Sequence, residues 1–347
     1  MKKISGVIFI LFLLLTFGIN QLVNCQAAEK ENIKKDAELS IGVSLSTLDK
    51  DSMLYIKNEF VKQCEKEKIK LQIKNSNNSC KIQKDYIKEL VRSGINVLVV
   101  DAVDANSKSI KDGLNFAIAN DVRVILLNSK VKGFEEKTSF VGFDDYNSGK
   151  AVAKNIVEYF EKNNKKESSE EKANKEDNEN LEITAIVLSE NNNSDSKIFV
   201  KGLKSYRAKT LKIKANYVLD SLEEINVSDA YEKAMEKYSK VDVVICTSDY
   251  IASICNKVFA RDEVDVVYTG QDSDIAACSR VAHGKQLCTV YKPFESLVSE
   301  TLRYSKNLYA GASFDTEKIK TTIVDGRNIM PVIVGNNLHQ AKDIFAY

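Results

Sequence analysis

Tryptophan is absent from this chain, and its 347 residues include only two histidines and two prolines. So few imidazoles leave little for a histidine-based metal centre or a catalytic triad. An excess of charge of one sign is lacking too. Fifty lysines and arginines against 49 acidic residues leave a net charge of +1, too weak a field to hold a nucleic-acid backbone. With 44% hydrophobic and 29% charged residues, the composition also excludes a polytopic membrane protein and a wholly disordered chain. The seven cysteines form no C-x-x-C pair, so zinc spacing is missing. Those at 64, 80, 246, 255, 278 and 288 sit mostly in apolar runs and read as small buried hydrophobes. A chain of this size builds its core without staples, and Cys64 with Cys80 is the one pairing worth testing.

What is present begins with a leader. Met1-Lys2-Lys3 precedes an apolar run from Ile4 to Ile19, the charged and apolar regions of a secretory signal over residues 1–25. Leu22-Val23-Asn24-Cys25 resembles a bacterial lipoprotein box with Cys25 as the lipidated residue, although Asn24 stands where a small residue is usual. Cleavage after Ala27, or an uncleaved anchor, are the alternatives. The run is shorter than the ~20 residues of a spanning helix. All three place the remainder outside the cytoplasmic membrane, as a membrane-associated, periplasmic or secreted protein.

From Leu39 onward, short apolar runs alternate with segments of helical period. Strands are expected at Ile41 to Leu45, Leu71 to Ile73, Val97 to Val100, Val122 to Leu127 and Phe140 to Phe143. Between them, 52–68, 82–93 and 107–120 repeat their apolar side chains near every 3.6 residues, and Gly94 suits a left-handed stop. A helix over 148–160 then runs into Glu161 to Asn180, where Ala173 is the one apolar residue. That stretch reads as a disordered charged insertion, with a solvated helical extension as the alternative. The same alternation resumes with strands at Ile183 to Leu188, Val241 to Cys246 and Val264 to Tyr268, and helices near 195–208, 228–239, 249–260 and 272–283. Continuous β-branched strands alternating with helices predict an α/β fold of doubly wound parallel sheets, and the length favours two lobes.

In such sheets ligands bind beyond the carboxyl ends of the strands. There the chain places Ser46 to Lys50, Asp101, Asn128-Ser129, Asp144-Asp145, Ser248-Asp249, Gln271-Asp272 and Lys292. Polar groups around an interlobe cleft suit a polyol or sugar, although strand ends are also polar because loops are solvated.

Tyr268-Thr269-Gly270-Gln271-Asp272-Ser273-Asp274 and Thr289-Val290-Tyr291-Lys292-Pro293 resemble the GQDAD and TVYKP segments of the periplasmic sugar-binding proteins, most closely their D-xylose-binding branch. Phe143-Asp144-Asp145-Tyr146-Asn147-Ser148-Gly149 resembles a third segment, and the likeness extends from about Ile41 to Pro331. It implies two lobes joined by a three-crossing hinge, 36–142 plus 292–322 and 143–291 plus 323–340. They would close on a sugar and deliver it to an ABC permease, with no cofactor and no metal. By position, Asp272 would accept from sugar hydroxyls, Lys292 would donate from the hinge, and Asp144 would sit at the first crossing. Each has a plainer role open to it: a helix cap for Asp272, an exposed lysine for Lys292, an Asx turn for Asp144.

The departures bear on the ligand. Where the xylose branch has an arginine-rich segment ending in tryptophan, this chain has Asp49-Lys50-Asp51-Ser52-Met53, making Asp49 and Met53 the candidate contacts. Asn128-Ser129 replaces an aspartate-arginine pair, and Ser248 replaces an asparagine. Neither serine nor lysine copies the planar fork of arginine. Ring stacking would fall to Phe143, Phe199, Tyr250 or Tyr291. Transport is the first expectation; a sugar sensor coupled to a membrane histidine kinase or chemoreceptor, which the diverged pocket and the imperfect lipoprotein box favour somewhat, is the second. Asp101 with Asp104, or Asp272 with Asp274, can be drawn as glycosidase carboxylates, but close spacing alone carries little and no enzyme is expected. A leader in place of a helix-turn-helix disfavours a transcription regulator.

Overall fold

The computed structural model describes residues 38–49, 51–170, 181–190 and 194–329. The leader over 1–25 with Cys25, the second half of the charged segment over 171–180, and residues 330–340 of the expected second lobe lie outside these. Twelve strands among the described residues form two six-stranded sheets.

The first sheet is built from β1 (Ser40–Leu45), β2 (Lys70–Asn75), β3 (Val97–Asp101), β4 (Arg123–Leu127), β5 (Ser139–Phe143) and β11 (Thr316–Ile319) in the order β11-β5-β4-β3-β1-β2, all parallel. Every residue of β3 is buried, which is why this strand reads as an unbroken apolar run. Ile41 pairs with Leu71 on one side and Val97 on the other. One face packs on α1 (Asp51–Glu67) and α9 (Phe294–Tyr309) through Ile56, Phe60, Leu297 and Leu302. The other packs on α2 (Cys80–Arg92) and α3 (Lys108–Ala119) through Ile87, Leu90, Ile110 and Leu114. Ser79 caps α2 by accepting from the Ile82 N–H, and Gly94 just beyond its end has φ +83°, as its position predicts.

The second sheet runs β12-β10-β9-β8-β6-β7, from β6 (Ile183–Glu190), β7 (Leu211–Leu219), β8 (Val243–Cys246), β9 (Val267–Thr269), β10 (Cys288–Tyr291) and β12 (Thr322–Asp325). Only β12 is antiparallel, against β10. Its faces are covered by α4 (Asp145–Glu170) with α5 (Ser194–Ser205), and by α6 (Glu224–Tyr238) with α7 (Asp249–Arg261). The short α8 (Ile275–Ala282) packs a smaller cluster against Val324.

The chain crosses between sheets three times: from β5 to α4, from β10 to α9 through Lys292 and Pro293, and from β11 to β12. The crossings are tied together. The Asp144 N–H donates to the Ile319 carbonyl, and the Ser148 and Thr321 hydroxyls share a 2.7 Å hydrogen bond. Two lobes of doubly wound sheet joined by a three-crossing hinge are thus the architecture.

Two alternatives left open by the sequence are resolved among the described residues. The charged segment from 161 is helical through Glu170, because lysine and glutamate are good helix formers and extend α4 beyond its buried part. No cysteine bridge joins Cys64 to Cys80: all six described cysteines are free, five of them buried.

Candidate functional site

Both sheets point their carboxyl ends at one interlobe space of about 260 Å3. Small-molecule pockets run about 300–1,000 Å3, so this one admits a single compact ligand. Met53, Asn128, Ser248, Asp272 and Lys292 of the predicted residues line it. Asp49 does not: it is exposed, and its carboxylate accepts from the Thr47 hydroxyl at 2.8 Å. Asp144 does not either. Its carboxylate accepts from the Asn147 side-chain amide at 2.6 Å and so braces the first turn of α4, the Asx role. The next residue, Asp145, lines the cleft in its place.

Lys292, carried in by the second crossing, stands between two carboxylates, 3.1 Å from Asp272 and 3.5 Å from Asp145. Its ammonium lies 5.6 Å from the centre of the Phe143 ring. Burial works to lower its pKa, but the two aspartates outweigh it and hold the group above the ordinary lysine range. For Asp145 burial wins and raises the carboxyl, with Lys292 opposing. Asp272 has φ +105° and forms an isolated bridge to Tyr291, a backbone that the chain holds against local preference. It does not cap α8; Asp274 does, accepting from the Ala277 N–H at 2.6 Å.

Ser248 caps α7 by accepting from the Ile251 N–H, and its hydroxyl donates to Glu190 at 3.3 Å. Opposite, Asp101 at the end of β3 accepts from the Ser46 N–H and hydroxyl. Ser129 of the first lobe donates to Asp195 of the second at 3.3 Å, so side chains already meet across the cleft. Asn128 takes φ +61° at the end of β4, and its side-chain oxygen is buried without a partner. The Gln271 amide donates to the Thr247 carbonyl at 3.0 Å, leaving Gln271 Oε1 and Thr247 Oγ1 buried and unpartnered.

Of the four aromatic candidates Phe143 alone lines the cleft, joined there by Phe294 edge-on at 5.5 Å. Phe199 is fully buried in the core under α5, Tyr250 is exposed on the first turn of α7, and Tyr291 packs beneath α8. Neither drawn carboxylate pair shares the cleft: Asp104 braces its own turn through the Asn106 N–H, and Asp274 caps α8. No cluster of metal-ligating side chains occurs among the described residues.

Residues 41–313 match the model of the periplasmic binding protein domain. The chain belongs to the periplasmic binding protein family. It is 22% identical over 327 residues to the D-xylose-binding periplasmic protein of Escherichia coli strain K12, covering 92% of this chain and 90% of that protein. The Caulobacter myo-inositol binding protein, solved with myo-inositol, aligns with TM-score 0.71 at 18% identity over 85% of this chain and 96% of its own. A carbohydrate transporter solute binding protein of Chloroflexus aurantiacus in complex with D-glucose gives TM-score 0.71 at 16% identity, with 88% and 98% covered. At such identities these structures speak for the fold. The chain carries hydrogen-bonding groups of both lobes around this one space, so a ligand there can be held from both sides.

Proposed function

We propose that this protein is an extracytoplasmic solute-binding protein that closes on a sugar or related polyol and presents it to an ABC permease, without catalysing a reaction. The observation that carries the proposal is the cleft itself: a space for one small ligand, floored by Phe143 and Phe294 and ringed by buried groups that can hydrogen-bond hydroxyls. Leaving such groups unpaired costs about 1–3 kcal/mol each, and a polyol's hydroxyls would offset that cost. The relatives named for xylose, inositol and glucose agree with this class of ligand. The leader over 1–25 would carry the chain across the membrane, and lipidated Cys25 would tether it there. Nothing in the geometry favours the sensor alternative over transport.

A thermal-shift panel of pentoses, hexoses and polyols tests this directly, because a ligand that binds only the folded state raises the melting temperature. With the ligand found, Asp272→Ala and Lys292→Ala are each expected to weaken binding tenfold or more, about 1.4 kcal/mol. Full affinity in both variants would remove these residues from the site.

A further inference from the structure

Among the described residues, Cys246 and Cys255 are the two cysteines whose sulfurs meet, 3.6 Å apart. Cys246 is the last residue of β8 and Cys255 lies in α7, so the contact joins the strand to the helix that follows it. Both side chains are fully buried, in the apolar cluster of Val244, Ile251 and Val258. Cys278, by contrast, donates to the Ser273 carbonyl at 3.7 Å, and Cys64 and Cys288 sit in other clusters. The contact lies directly behind the ligand space. Thr247 and Ser248, the next two residues, line the cleft, and Ser248 caps α7.

Three features make this pair more than two small hydrophobes. A disulfide sets its sulfurs about 2.05 Å apart, so these two must close about 1.5 Å to bond. They are nine residues apart in sequence, and a loop that short is cheap to close while the chain is still unfolded. Burial also holds the Cys246 thiol well above its ordinary range, so in the folded protein it stays protonated and out of reach of reagents.

We propose that Cys246 and Cys255 are a modification site, joined in a disulfide as the chain folds outside the cytoplasmic membrane, where such bonds persist. The oxidant is an external disulfide. One cysteine thiolate attacks it and releases one thiol; the other then attacks the mixed disulfide and releases the second. Two electrons pass from the pair to the oxidant, and the two cysteine protons are balanced by those on the thiols released. The finished bond pins α7 to β8 behind Thr247 and Ser248, and its burial keeps reductants away. This inference shares only the compartment with the function proposed above and needs no ligand.

The test is to unfold and reduce the full-length protein, refold it in a mixture of reduced and oxidised glutathione, trap the remaining thiols with iodoacetamide after denaturation, and map the tryptic peptides. Val241 to Lys257 is one such peptide, holding both cysteines and no other. It is expected to carry no alkyl group and to be two hydrogens lighter than its reduced form, while the peptides of Cys64, Cys80, Cys278 and Cys288 are alkylated. The bridged protein is expected to melt several degrees above the same protein kept reduced. Cys246→Ser and Cys255→Ser should each leave the other cysteine alkylated and abolish that difference. A folded protein whose peptide stays doubly alkylated, or in which either cysteine is bridged to another partner, overturns this inference whether or not a sugar binds. A bridge that leaves the melting temperature unchanged overturns its role in pinning α7.

Discussion

At the residue scale, Asp249, one position past the cleft-lining Ser248, is a fully buried carboxyl. Its carboxyl accepts from the Thr289 hydroxyl at 2.7 Å and the Gln286 amide at 3.1 Å, and from the Asp274 N–H at 3.3 Å. Burial nevertheless pushes its pKa well above the ordinary aspartate range, with Asp274 and Asp272 adding to the rise and those two side-chain bonds opposing it. The Arg280 guanidinium donates to the Asp249 backbone carbonyl, at 3.4 Å, rather than to its carboxyl. A raised carboxyl binds a proton on folding, so its stabilisation is complete at or below the unfolded value of about 3.9 and is lost as pH rises through the folded value. Asp325, lowered by Arg327 and Asn155 against its burial, works in the opposite direction, and its contribution fades only as pH falls below the ordinary range. Melting temperature is therefore expected to rise from neutral pH toward mild acid, with a shallower slope in Asp249→Asn; raised Asp145 supplies the remainder. A slope identical in the variant would assign the proton elsewhere. The same crowding explains which site residues the sequence makes legible. Asp272 and Lys292 stand in motifs, and Asn128 and Ser248 follow strands, so position alone finds them. Choosing Asp145 over Asp144 needs the geometry of the strand-to-helix turn, in which one of two neighbouring aspartates braces the helix and the other faces the ligand space. Glu190 and Asp195 flank three asparagines and carry no motif, so their place in the cleft comes from the fold.

At the element scale, the strands and helices that wrap their apolar faces inward were readable, and the exceptions have physical causes. β7 alternates Leu211, Ile213 and Ala215 with lysines because it is an edge strand with one neighbour, and such a pattern is easily taken for a loop. β11 and β12 are four residues each, too short for a period to show. α9 carries Leu297, Val298, Leu302 and Leu308 at helical spacing, a signal present in the sequence but overshadowed by the neighbouring Tyr291-Lys292-Pro293 motif. The α4 and α5 pair is the contact least visible in advance. These helices touch backbone to backbone at Gly149 and Gly202, where a Cβ would overlap the Phe199 and Tyr146 carbonyl oxygens respectively. Alanine gains about 1 kcal/mol over glycine in an open helix, whereas overpacking costs about 1–3 kcal/mol, and backbone atoms cannot turn aside as a flexible side chain would. Gly149→Ala and Gly202→Ala are thus each expected to destabilise by about 1–3 kcal/mol in urea unfolding. Ligand affinity should fall as well, since the same helices present Asp145 and Asp195 to the cleft. A stabilised variant would mean that the helices separate without strain.

For the whole molecule, two bodies with separate cores share three crossings, and the proposed function expects the lobes to part for ligand entry. Ser129 and Asp195, one from each lobe, stand with side-chain oxygens 3.3 Å apart across the cleft. Ser129→Cys combined with Asp195→Cys places one thiol on each side of that contact, so that oxidation can bridge the lobes there. Oxidised without ligand, the double variant should refuse a subsequently added sugar; oxidised after loading, it should retain the sugar through dialysis. Reduction should restore exchange in both preparations, and that recovery separates a closed gate from the loss of the Asp195 charge. The three crossings still hold the lobes together, so the new bridge is not needed to join them. If the crosslink forms and the sugar still exchanges freely, the lobes need not part for entry, and the cleft works as a fixed pocket.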